Sequence, residues 1–580
     1  MATARCATAG SVITGGSERC VDTPLGMWLA RTGAGAGFHP GLVFGGGEGH
    51  EEDPASRSRR HMGRAIYADR IIRQEEVLAS CAVHAVISRQ TSLERITALI
   101  RRLQDGRVES QDMGVTGGKP SDQILGPGED SVLTQFLDRT VISLYLLLTQ
   151  IALRSHSVEQ GATGRSCEAD HQSDIYQLLD ELFSFHHEYV RLLPRTEDLL
   201  TPLFWTETEL DTLGPFSLLH AVDQQKTLWT GEYASLLLHL QDLSPALHRL
   251  VARHASCQDY VWASTIVTSR SFPSTLLANT SHASGPPGDH DANQPTLRAS
   301  ETAPILLPGV DIFNHKRGSK IEWRSVRNQP DTHRIEIVSL EEQIPKGDQV
   351  FNNYGAKSTA ELILGYGFVL DEQDWEAGGR ANPDDVYSIK LTRPPPDQEQ
   401  TYSQFVGEVF GHFSADELTH YVRSATTTGQ DHHRIPALLL AQLRVSVVSL
   451  DQDVQILQQR LQHPLSHASS SSPGTFAACF LHVMQDKISW QNELDCLDCL
   501  RALVEHKLGT TRAALLHRRG DGEWERVRAS VRRMIEVYQQ GQLQILEDTL
   551  TFIERCLDDT LEKAVDDGFQ VPDEEEEEGY

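Results

Sequence analysis

Sequence typical of β-strands occurs in two widely separated parts of this chain, and that separation most limits the folds that it can adopt. The first part, GRAIYADRIIRQEEVLASCAVHAVIS (63–88), is rich in β-branched residues and alternates in short runs. The second part contains ILLPGVDIF (305–313), KIEWRSV (320–326) and HRIEIVSL (333–340). We interpret the two parts as one β-rich module that is split by the sequence between them.

Helical sequence lies between these parts and covers nearly everything after about residue 400. From about 91 to 260, stretches such as IYQLLDELFSFHHEYVRLL (175–193) repeat apolar residues at three- and four-residue spacing. The same spacing near the end forms two apolar stripes, Trp524, Val527, Val531, Met534, Ile535 and Tyr538, then Leu543, Leu546, Leu550, Ile553 and Leu557. The predicted fold class is therefore α+β, with a β-rich module split by a helical insertion and followed by an all-helical C-terminal domain.

Charge limits the function classes. The chain has 580 residues and a formal net charge of −29, of which the acidic run at 573–578 supplies only six. Acidity is therefore general, and it disfavours direct binding to nucleic acid phosphates. It suits a cationic protein partner, although solubility alone is an equally good interpretation of the tail.

Membrane insertion and secretion are not predicted. The longest apolar run, VISLYLLLTQIAL (141–153), is shorter than a bilayer-spanning helix requires. The N-terminal sequence lacks the apolar core of a secretory signal, while its few acids and its Ser and Thr residues leave organelle targeting as an alternative. The nine cysteines are scattered, which favours a reducing compartment. We expect a cytoplasmic protein, with the nucleus as a second location.

Three motifs lack the context that a ligand site needs. CLDC (496–499) has the spacing of a zinc-binding pair, but no second pair follows it. The His-His pairs at 186–187 and 432–433 have no clustered carboxylates, and we interpret them as ordinary buried or surface histidines. GAGAG (33–37) lacks the strand–turn–helix context of a dinucleotide loop and is interpreted as a flexible turn. No metal site is predicted.

An ordered set of short motifs remains. It consists of GRAIYA (63–68), SRSF (269–272), DIFNH (311–315), NNYG (352–355) and GYGF (365–368). The last two place Tyr-Gly pairs on either side of AKSTAELILG (356–365), which predicts a helix of about three turns between glycine turns. A single Asn at a strand end is commonly a turn former, so the order of the whole set carries the argument.

The ordered set resembles the SET-domain methyltransferases of the class typified by the RuBisCO large-subunit methyltransferase. That class has a GxG segment, an SR-x-F-like segment, D-x-x-NH, and then YG-x-KSN-x-EL-x-x-x-YGF, which here reads YGAKSTAELILGYGF (354–368). The resemblance extends to GMWLARTGAGAGFHPGLVF (26–44), RLLPRTEDLLTPLFWTETEL (191–210) and YQQGQLQILEDTL (538–550), and so to nearly the whole chain.

The resemblance implies transfer of a methyl group from S-adenosylmethionine (SAM) to a protein side chain, with Tyr354 as the catalytic tyrosine. It implies cofactor contacts from Gly63, Arg64, Ala65, Arg270, Asn314, His315, Tyr354 and Phe368. It implies that Phe272, Asp311 and Tyr366 line the channel of the target lysine. Within this set, Arg270 would pair with the cofactor carboxylate, Asn314 would bind its amino-acid part, and His315 and Phe368 would lie near the adenine.

The chain departs from the class pattern at three positions. Ala65 stands where the class usually has a second Gly, Met62 where it often has an acid, and Thr359 where it has the Asn of KSN. None of these changes removes Asn314, His315 or Tyr354, so activity is still expected. Phe272 occupies the position where the histidine-directed branch has Asn, which favours lysine as the target. A histidine methyltransferase and a non-catalytic binding scaffold remain the alternatives.

The resemblance also implies the organisation and the partners of the chain. The predicted segments are the N-terminal part of the SET domain (22–95), the helical insertion (96–255), the C-terminal part with the catalytic motifs (256–385), a helical substrate-binding domain (386–565) and an acidic tail (566–580). The implied substrate is a non-histone protein, and a basic ribosomal protein or a translation factor would suit the acidic surface. We expect a monomer without direct contact to nucleic acid or membrane.

Overall fold

The structure is a computed structural model. It describes residues 18–45, 65–111, 133, 135–159, 167–278, 302–327, 332–370, 382–392, 402–423, 435–467, 475–519 and 524–570. The chain divides into two compact units. The first comprises Met1–Trp205, His220–Ala356 and Ile363–Phe368, and the second comprises Thr206–Leu219, Lys357–Leu362 and Val369–Tyr580. The five segment boundaries predicted from the sequence stay predictions.

Helices dominate the part of the chain that the structure describes. In chain order the α-helices are α1 (Pro24–Arg31), α2 (Arg89–Gln111), α3 (Asp138–Glu159), α4 (Cys167–Phe183), α5 (His187–Leu192), α6 (Glu207–Asp211), α7 (Ser217–Leu243), α8 (Pro245–His254), α9 (Cys257–Arg270), α10 (Thr359–Tyr366), α11 (Ser403–Gly411), α12 (Ala437–Ser446), α13 (Asp451–His467), α14 (Thr475–Val483), α15 (Trp490–Arg519) and α16 (Ala529–Asp566).

The β-strands in the described part of the chain are shorter than most of the helices. They are β1 (Gly37–Phe38), β2 (Leu42–Gly45), β3 (Ala65–Ala68), β4 (Ile72–Arg73), β5 (Val77–Ala82), β6 (Ser271–Pro273), β7 (Pro304–Leu306), β8 (Ile321–Val326), β9 (Arg334–Ser339), β10 (Gln343–Ile344), β11 (Val386–Lys390) and β12 (Thr419–Arg423).

The central sheet of the first unit joins strands from both sides of the helical insertion. Its order is β1-β5-β9-β8, and each neighbouring pair is antiparallel. Ser80 of β5 lies opposite Glu336 of β9, which pairs on its other edge with Arg324 of β8. The residues of β9 from Ile335 to Ser339 are all buried, as expected for a central strand covered on both faces. The predicted split β-rich module is therefore confirmed.

Strand β3 lies beside the segment that leads into the NNYG motif. It pairs with β2 on one edge. On the other edge the Val350 amide donates to the Ile66 carbonyl at 2.8 Å, and the Ala68 amide donates to the Asp348 carbonyl at 2.9 Å. Because this pairing is antiparallel, the start of β3 at Ala65 lies towards the residues that follow Val350.

The helical insertion packs around a helix that is apolar on nearly all sides. In α3, residues 140–149 are all buried, which is typical of a helix enclosed by other helices. Near its start, Arg139 forms two 2.6 Å hydrogen bonds with the carboxylate of Glu232 and one of 2.9 Å with Ser264. In the described part of the chain, no helix is long and apolar enough to cross a membrane.

The second unit is built on the long helices α15 and α16, which pack against each other. The first of the two apolar stripes predicted from the sequence faces inward, since Val531, Ile535 and Tyr538 are at most 1% exposed. Glu209 of α6 accepts hydrogen bonds from the guanidinium of Arg528 at 2.7 and 2.9 Å and from its backbone amide at 3.2 Å. Those bonds hold α6 at the start of α16.

Three local expectations differ from the structure. The C-terminal region contains β12, which pairs with β11; its sequence THYVR alternates in burial, a short pattern easily overlooked among helices. The predicted strand 305–313 ends at Leu306, before Gly309, whose φ of +83° requires a turn. Helix α10 has about two turns rather than three. Ser358 and Glu361 form a capping box that begins it at Thr359.

Candidate active site

An ion pair between Arg270 and Asp311 lies at the centre of the candidate site. Arg270 is the last residue of α9. Its Nη1 donates to the Asp311 backbone carbonyl at 3.1 Å and lies 3.5 Å from the Asp311 Oδ2. The Asp311 side chain is fully buried, whereas about 25% of the Arg270 side chain is exposed. The pair therefore has one enclosed member and one that faces a channel or solvent.

Asp311 also accepts a hydrogen bond from the insertion. The Tyr189 hydroxyl, on α5, donates to the Asp311 Oδ2 at 2.6 Å. Burial raises the pKa of Asp311, and the charge of Arg270 and the Tyr189 hydrogen bond oppose that rise without cancelling it. The other carboxylate oxygen, Oδ1, is buried and has no hydrogen-bond partner among the described residues.

Two chain segments pair with each other to bring the DIFNH and NNYG motifs together. The Asn352 amide donates to the Asn314 carbonyl at 2.8 Å, and the Lys316 amide donates to the Asn352 carbonyl at 3.0 Å. The Tyr354 amide donates to the His315 Nδ1 at 3.0 Å. The first two bonds fix the backbone on both sides of Asn352, and the third ties the Tyr354 main chain to the His315 side chain.

Aromatic rings stack around Tyr354. The His315 ring is stacked on one side with centroids 5.0 Å apart, and the Tyr366 ring is stacked at 5.1 Å. Phe368 meets Tyr366 edge-on at 6.1 Å. Burial, with Tyr366 and Asp311 adding to it, raises the pKa of Tyr354 although Arg270 opposes the rise. Tyr354 is therefore a neutral phenol at physiological pH, and its hydroxyl donates to the Phe313 carbonyl at 2.8 Å.

These residues enclose a narrow pocket of about 60 Å³, lined by Ser269, Arg270, Ser271, Phe272, Asp311, Trp323, Asn352, Tyr354 and Tyr366. Phe272 and Trp323 form an apolar wall, with ring centroids 4.9 Å apart in an edge-to-face arrangement. The indole Nε1 of Trp323 donates to the Asn352 Oδ1 at 3.1 Å. That bond satisfies the polar atom of the wall, so the face of Trp323 towards the pocket is available for an alkyl chain.

The polar atoms that lack partners are complementary to a zwitterionic ligand. The Asn314 Nδ2 is buried without a hydrogen-bond partner in the part of the chain that is described, as is the Asp311 Oδ1. A buried donor or acceptor without a partner costs free energy, which a bound ligand can recover. A group that carries both a carboxylate and an ammonium would satisfy the amide donor and the carboxylate acceptor together, and Arg270 would add a positive charge.

Most of the residues predicted from the sequence meet in this site. Five of them line the pocket, namely Arg270, Phe272, Asp311, Tyr354 and Tyr366. Asn314 and His315 lie one hydrogen bond away from its lining residues, and Phe368 packs on Tyr366. Ala65 is buried at the start of β3. Gly63 and Arg64 lie outside the described residues.

Five residues of the site were not predicted, namely Ser269 and Ser271 on either side of Arg270, and Asn352, Trp323 and Tyr189. Asn352 belongs to the NNYG motif, but its role as the acceptor for Trp323 depends on tertiary pairing. Trp323 carries a weak signal, since an aromatic residue on a strand among polar neighbours is a candidate pocket wall. Tyr189 has no signal in sequence, because it lies on a helix 122 positions from the residue that it contacts.

The motifs set aside at the sequence level have structural explanations where the structure describes them. Cys496 and Cys499 lie on α15, and burial raises the pKa of both thiols. Among the described residues, no group of three or more His, Cys, Asp or Glu side chains is placed to hold a metal ion. His186 is buried, accepting from the Tyr145 hydroxyl at 2.6 Å and donating to the Ala85 carbonyl at 3.1 Å. The pair at 432–433 lies outside the described residues.

Solved structures share this fold. RuBisCO large-subunit methyltransferase bound to AdoMet matches with a TM-score of 0.51 and 15% identity, covering 95% of this chain and 98% of that one. The SET domain of the same enzyme bound to lysine and AdoHcy matches with a TM-score of 0.50 and 16% identity, covering 87% and 86%. At this identity the likeness concerns the fold, which is that of the SET-domain class predicted from the motif order.

Proteins of similar sequence are named as protein N-methyltransferases. The chain is 24% identical over 378 residues to the ribosomal lysine N-methyltransferase set10 of Schizosaccharomyces pombe, covering 65% of this chain and 56% of that protein. It is 28% identical over 211 residues to the human N-lysine methyltransferase SETD6, covering 35% and 37%. Mouse actin-histidine N-methyltransferase is 26% identical over 213 residues, covering 36% and 31%. The matches thus span about half or less of each relative. No protein-family model matches the sequence.

Proposed function

We propose that this protein is a SAM-dependent protein-lysine N-methyltransferase that acts on a non-histone protein. One observation carries the proposal. A narrow pocket, apolar on one side, joins the neutral Tyr354 phenol to the buried Asp311–Arg270 pair. The relatives named as lysine N-methyltransferases support it, as does the shared fold of a methyltransferase bound to AdoMet.

The residues that would hold the cofactor fit its amino-acid end. SAM would supply a methyl group on a sulfonium sulfur, which leaves as a neutral thioether. Arg270 would pair with the carboxylate, the unpartnered Asn314 Nδ2 would donate to the same end, and the Asp311 Oδ1 would accept from the ammonium. On the adenine side, His315 would present backbone groups and Phe368 an aromatic edge. Ala65 would approach through its backbone, next to the segment that follows Val350.

The pocket would also prepare the amine for attack. A lysine ammonium has a pKa of about 10.4 in water, and only the neutral amine has a lone pair to donate. Phe272 and Trp323, which are 6% and 8% exposed, would desolvate the ammonium and lower that pKa, so that the proton is lost to solvent before transfer. The Tyr354 hydroxyl donates to the Phe313 carbonyl, which leaves its oxygen free to accept from an amine N–H and to orient the lone pair.

Lysine suits this pocket better than histidine. An imidazole needs a polar partner for its second ring nitrogen, whereas an alkyl amine needs an apolar wall along its stem. Phe272 offers no hydrogen bond, and the only polar atom of the Trp323 side chain is already bound to Asn352. The 26% identity to actin-histidine N-methyltransferases keeps histidine transfer as the second candidate.

We further propose a basic ribosomal protein or translation factor as the substrate. The net charge of −29 would speed the encounter with a basic protein. The name of the Schizosaccharomyces pombe relative supports the ribosomal choice. The cysteines described as free thiols, such as Cys20, Cys81 and Cys496, fit the cytoplasm, with the nucleus as a second location. A monomer that needs no metal and no nucleic acid completes the proposal.

The proposal is tested with purified protein, isotopically labelled SAM and an extract of cells that lack this protein. Wild type is compared with Asn314→Ala, which removes the buried amide donor, and with Gln491→Ala, which removes an amide on α15 that donates to Asp495 of the same helix at 2.8 Å. We expect a labelled protein with wild type and Gln491→Ala but not with Asn314→Ala. Mass spectrometry then identifies the substrate and shows whether lysine or histidine carries the methyl group.

Calorimetry with SAM separates an inactive scaffold from an enzyme that lacks its substrate. Binding to wild type together with loss of binding in Asn314→Ala supports the cofactor site. Absence of SAM binding to wild type contradicts the proposed function and favours the scaffold. A labelled histidine instead of a lysine would contradict the assignment of the target while leaving methyl transfer in place.

A further inference from the structure

The hydrogen bond between Tyr189 and Asp311 connects the helical insertion to the candidate active site. Tyr189 lies on α5, and its side chain is fully buried. Its hydroxyl is 2.6 Å from the Asp311 Oδ2, whereas the Arg270 Nη1 is 3.5 Å from the same oxygen. The insertion, rather than the ion pair, therefore supplies the closest contact to this buried carboxylate. A hydrogen bond to a charged group is about twice as strong as one between neutral groups.

Asp311 in turn determines where Arg270 lies. Arg270 is held through the backbone carbonyl of Asp311 at 3.1 Å and through the carboxylate of the same residue. Among the described residues, both contacts of its Nη1 thus go to one residue. Rotation of the carboxylate would remove its contact with the guanidinium, and protonation would remove the negative charge that attracts it.

We propose that Tyr189 is a positioning residue for the methyl-transfer site, which keeps Asp311 ionised and oriented so that Arg270 faces the carboxylate of SAM. The inference rests on the proposed function. Under this proposal, the insertion does more than separate the two halves of the β-rich module, because one of its residues helps to set the charge of Asp311.

Asp311 is the group of this cluster that changes charge in the acid range. The titratable groups facing it are Arg270 from α9, Tyr189 from α5, Cys81 from β5 and Tyr354. Burial raises the pKa of Tyr189, Cys81 and Tyr354, and the negative charge of Asp311 adds to that rise. Burial lowers the pKa of Arg270, but Asp311 outweighs it and the pKa is raised. These four groups therefore keep their protons as the pH falls below neutral.

The test is the pH dependence of SAM affinity, measured by calorimetry on the full chain without protein substrate, so that no substrate lysine titrates. Tyr189→Phe removes a hydrogen bond that lowers the pKa of Asp311. We expect the loss of SAM affinity at acid pH to begin about one pH unit higher than in wild type. The fall of kcat/KM for the protein substrate at acid pH should also begin at a higher pH in this variant.

Tyr145→Phe is the matched control. It removes another buried 2.6 Å hydrogen bond of a tyrosine in the insertion, but the partner is His186 rather than Asp311. A purely structural role for Tyr189 predicts that both variants lose stability and that neither moves the acid limb of SAM binding. If wild type binds SAM but the two variants lose SAM affinity at the same acid pH, this inference is overturned while the proposed function stands.

A second variant keeps the test decisive if Tyr189→Phe fails to fold. 3-Fluorotyrosine at position 189 keeps the shape of the side chain and makes the hydroxyl a stronger donor, so the acid limb should move to lower pH. An unchanged limb with 3-fluorotyrosine would contradict the proposal. If wild type itself neither binds SAM nor transfers a methyl group, the proposed function fails and this inference fails with it.

Discussion

The hydroxyl of Tyr354 donates a 2.8 Å hydrogen bond to the backbone carbonyl of Phe313. This contact joins the two segments that carry the DIFNH and NNYG motifs. It also orients the phenol so that its oxygen lone pairs are directed away from Phe313. Because burial raises the pKa of Tyr354, this oxygen is not a phenolate at physiological pH. We therefore expect it to orient a group by hydrogen bonding, and not to take up a proton as an anionic base.

Tyr354→Phe tests that role. We expect SAM binding to remain within a few-fold of wild type, because the aromatic stack with His315 and Tyr366 persists. Turnover should fall by about 100-fold, since the amine loses the hydrogen bond that aligns it. Calorimetry measures the first quantity and single-turnover kinetics the second. Turnover equal to wild type would show that Tyr354 does not orient the amine.

Phe272→Asn tests the choice between lysine and histidine. An amide in the wall of the pocket provides a hydrogen-bond partner for an imidazole and weakens the apolar surface for an alkyl chain. We expect kcat/KM for a lysine peptide to fall by about 10-fold or more, while a matched histidine peptide gains activity.

Phe272→Leu is the control for this substitution. It changes the shape of the wall and keeps it apolar, so the preference for lysine should persist. Equal lysine preference in the Asn and Leu variants would show that the wall does not select the target side chain.

Glu209→Gln tests the ion pair with Arg528 in the second unit. Burial raises the pKa of Glu209, but the hydrogen bonds from Arg528 and Thr206 outweigh it and the pKa is lowered. A carboxylate with a lowered pKa stabilises the folded state above its unfolded pKa of about 4.3, and this contribution is lost as the pH falls through the folded value. We expect the variant to lose about 1–3 kcal/mol of unfolding free energy at neutral pH.

The same loss should shrink on acidification below about pH 4, which urea unfolding at several pH values measures. Glu547→Gln is the control, because its partner Arg512 is 2.6 Å away, close to the 2.7 Å between Glu209 and Arg528, but both side chains are well exposed. An exposed pair contributes about 0–1 kcal/mol. Equal effects of the two substitutions would show that burial of Glu209 does not increase the contribution of its ion pair to stability.

The buried His186 leads us to expect that the unfolding free energy of the insertion depends on pH. Burial lowers the pKa of His186 to about 4, and the hydrogen bond to the Ala85 carbonyl only partly opposes it. Between that value and the unfolded pKa of about 6.5, the unfolded chain binds more protons than the folded chain. The unfolding free energy should therefore fall as the pH is lowered through this range.

Thermal unfolding of wild type and His186→Gln across the same pH range checks this expectation. The variant should start less stable at neutral pH and show a weaker decline towards acid pH. His506→Gln, an exposed residue of α15, provides the control and should follow wild type. A decline as steep in His186→Gln as in wild type would assign the pH dependence to other groups.

Sequence patterns predicted much of the architecture. The strand-like sequence at 333–340 and the apolar spacing in 175–193 identified β9 and the helices α4 and α5, because both are local properties of the chain. Short elements were harder, and β12 was missed since five residues give little periodicity. The length of α10 was overestimated because the cap at Ser358, and not the apolar pattern, decides where it begins.

The sequence by itself determined the α+β class and the split β-rich module, and the resemblance of its ordered motifs predicted that Arg270, Asp311, Asn314 and Tyr354 belong to one site. Local propensity and motif order depend on neighbours in the chain, so they can be interpreted from one sequence. Only the tertiary structure decided that Tyr189 bonds to Asp311 and that Trp323 bonds to Asn352. The physical reason is that a buried polar atom takes whichever partner the packing of distant elements places within hydrogen-bond reach, and no local pattern encodes that choice.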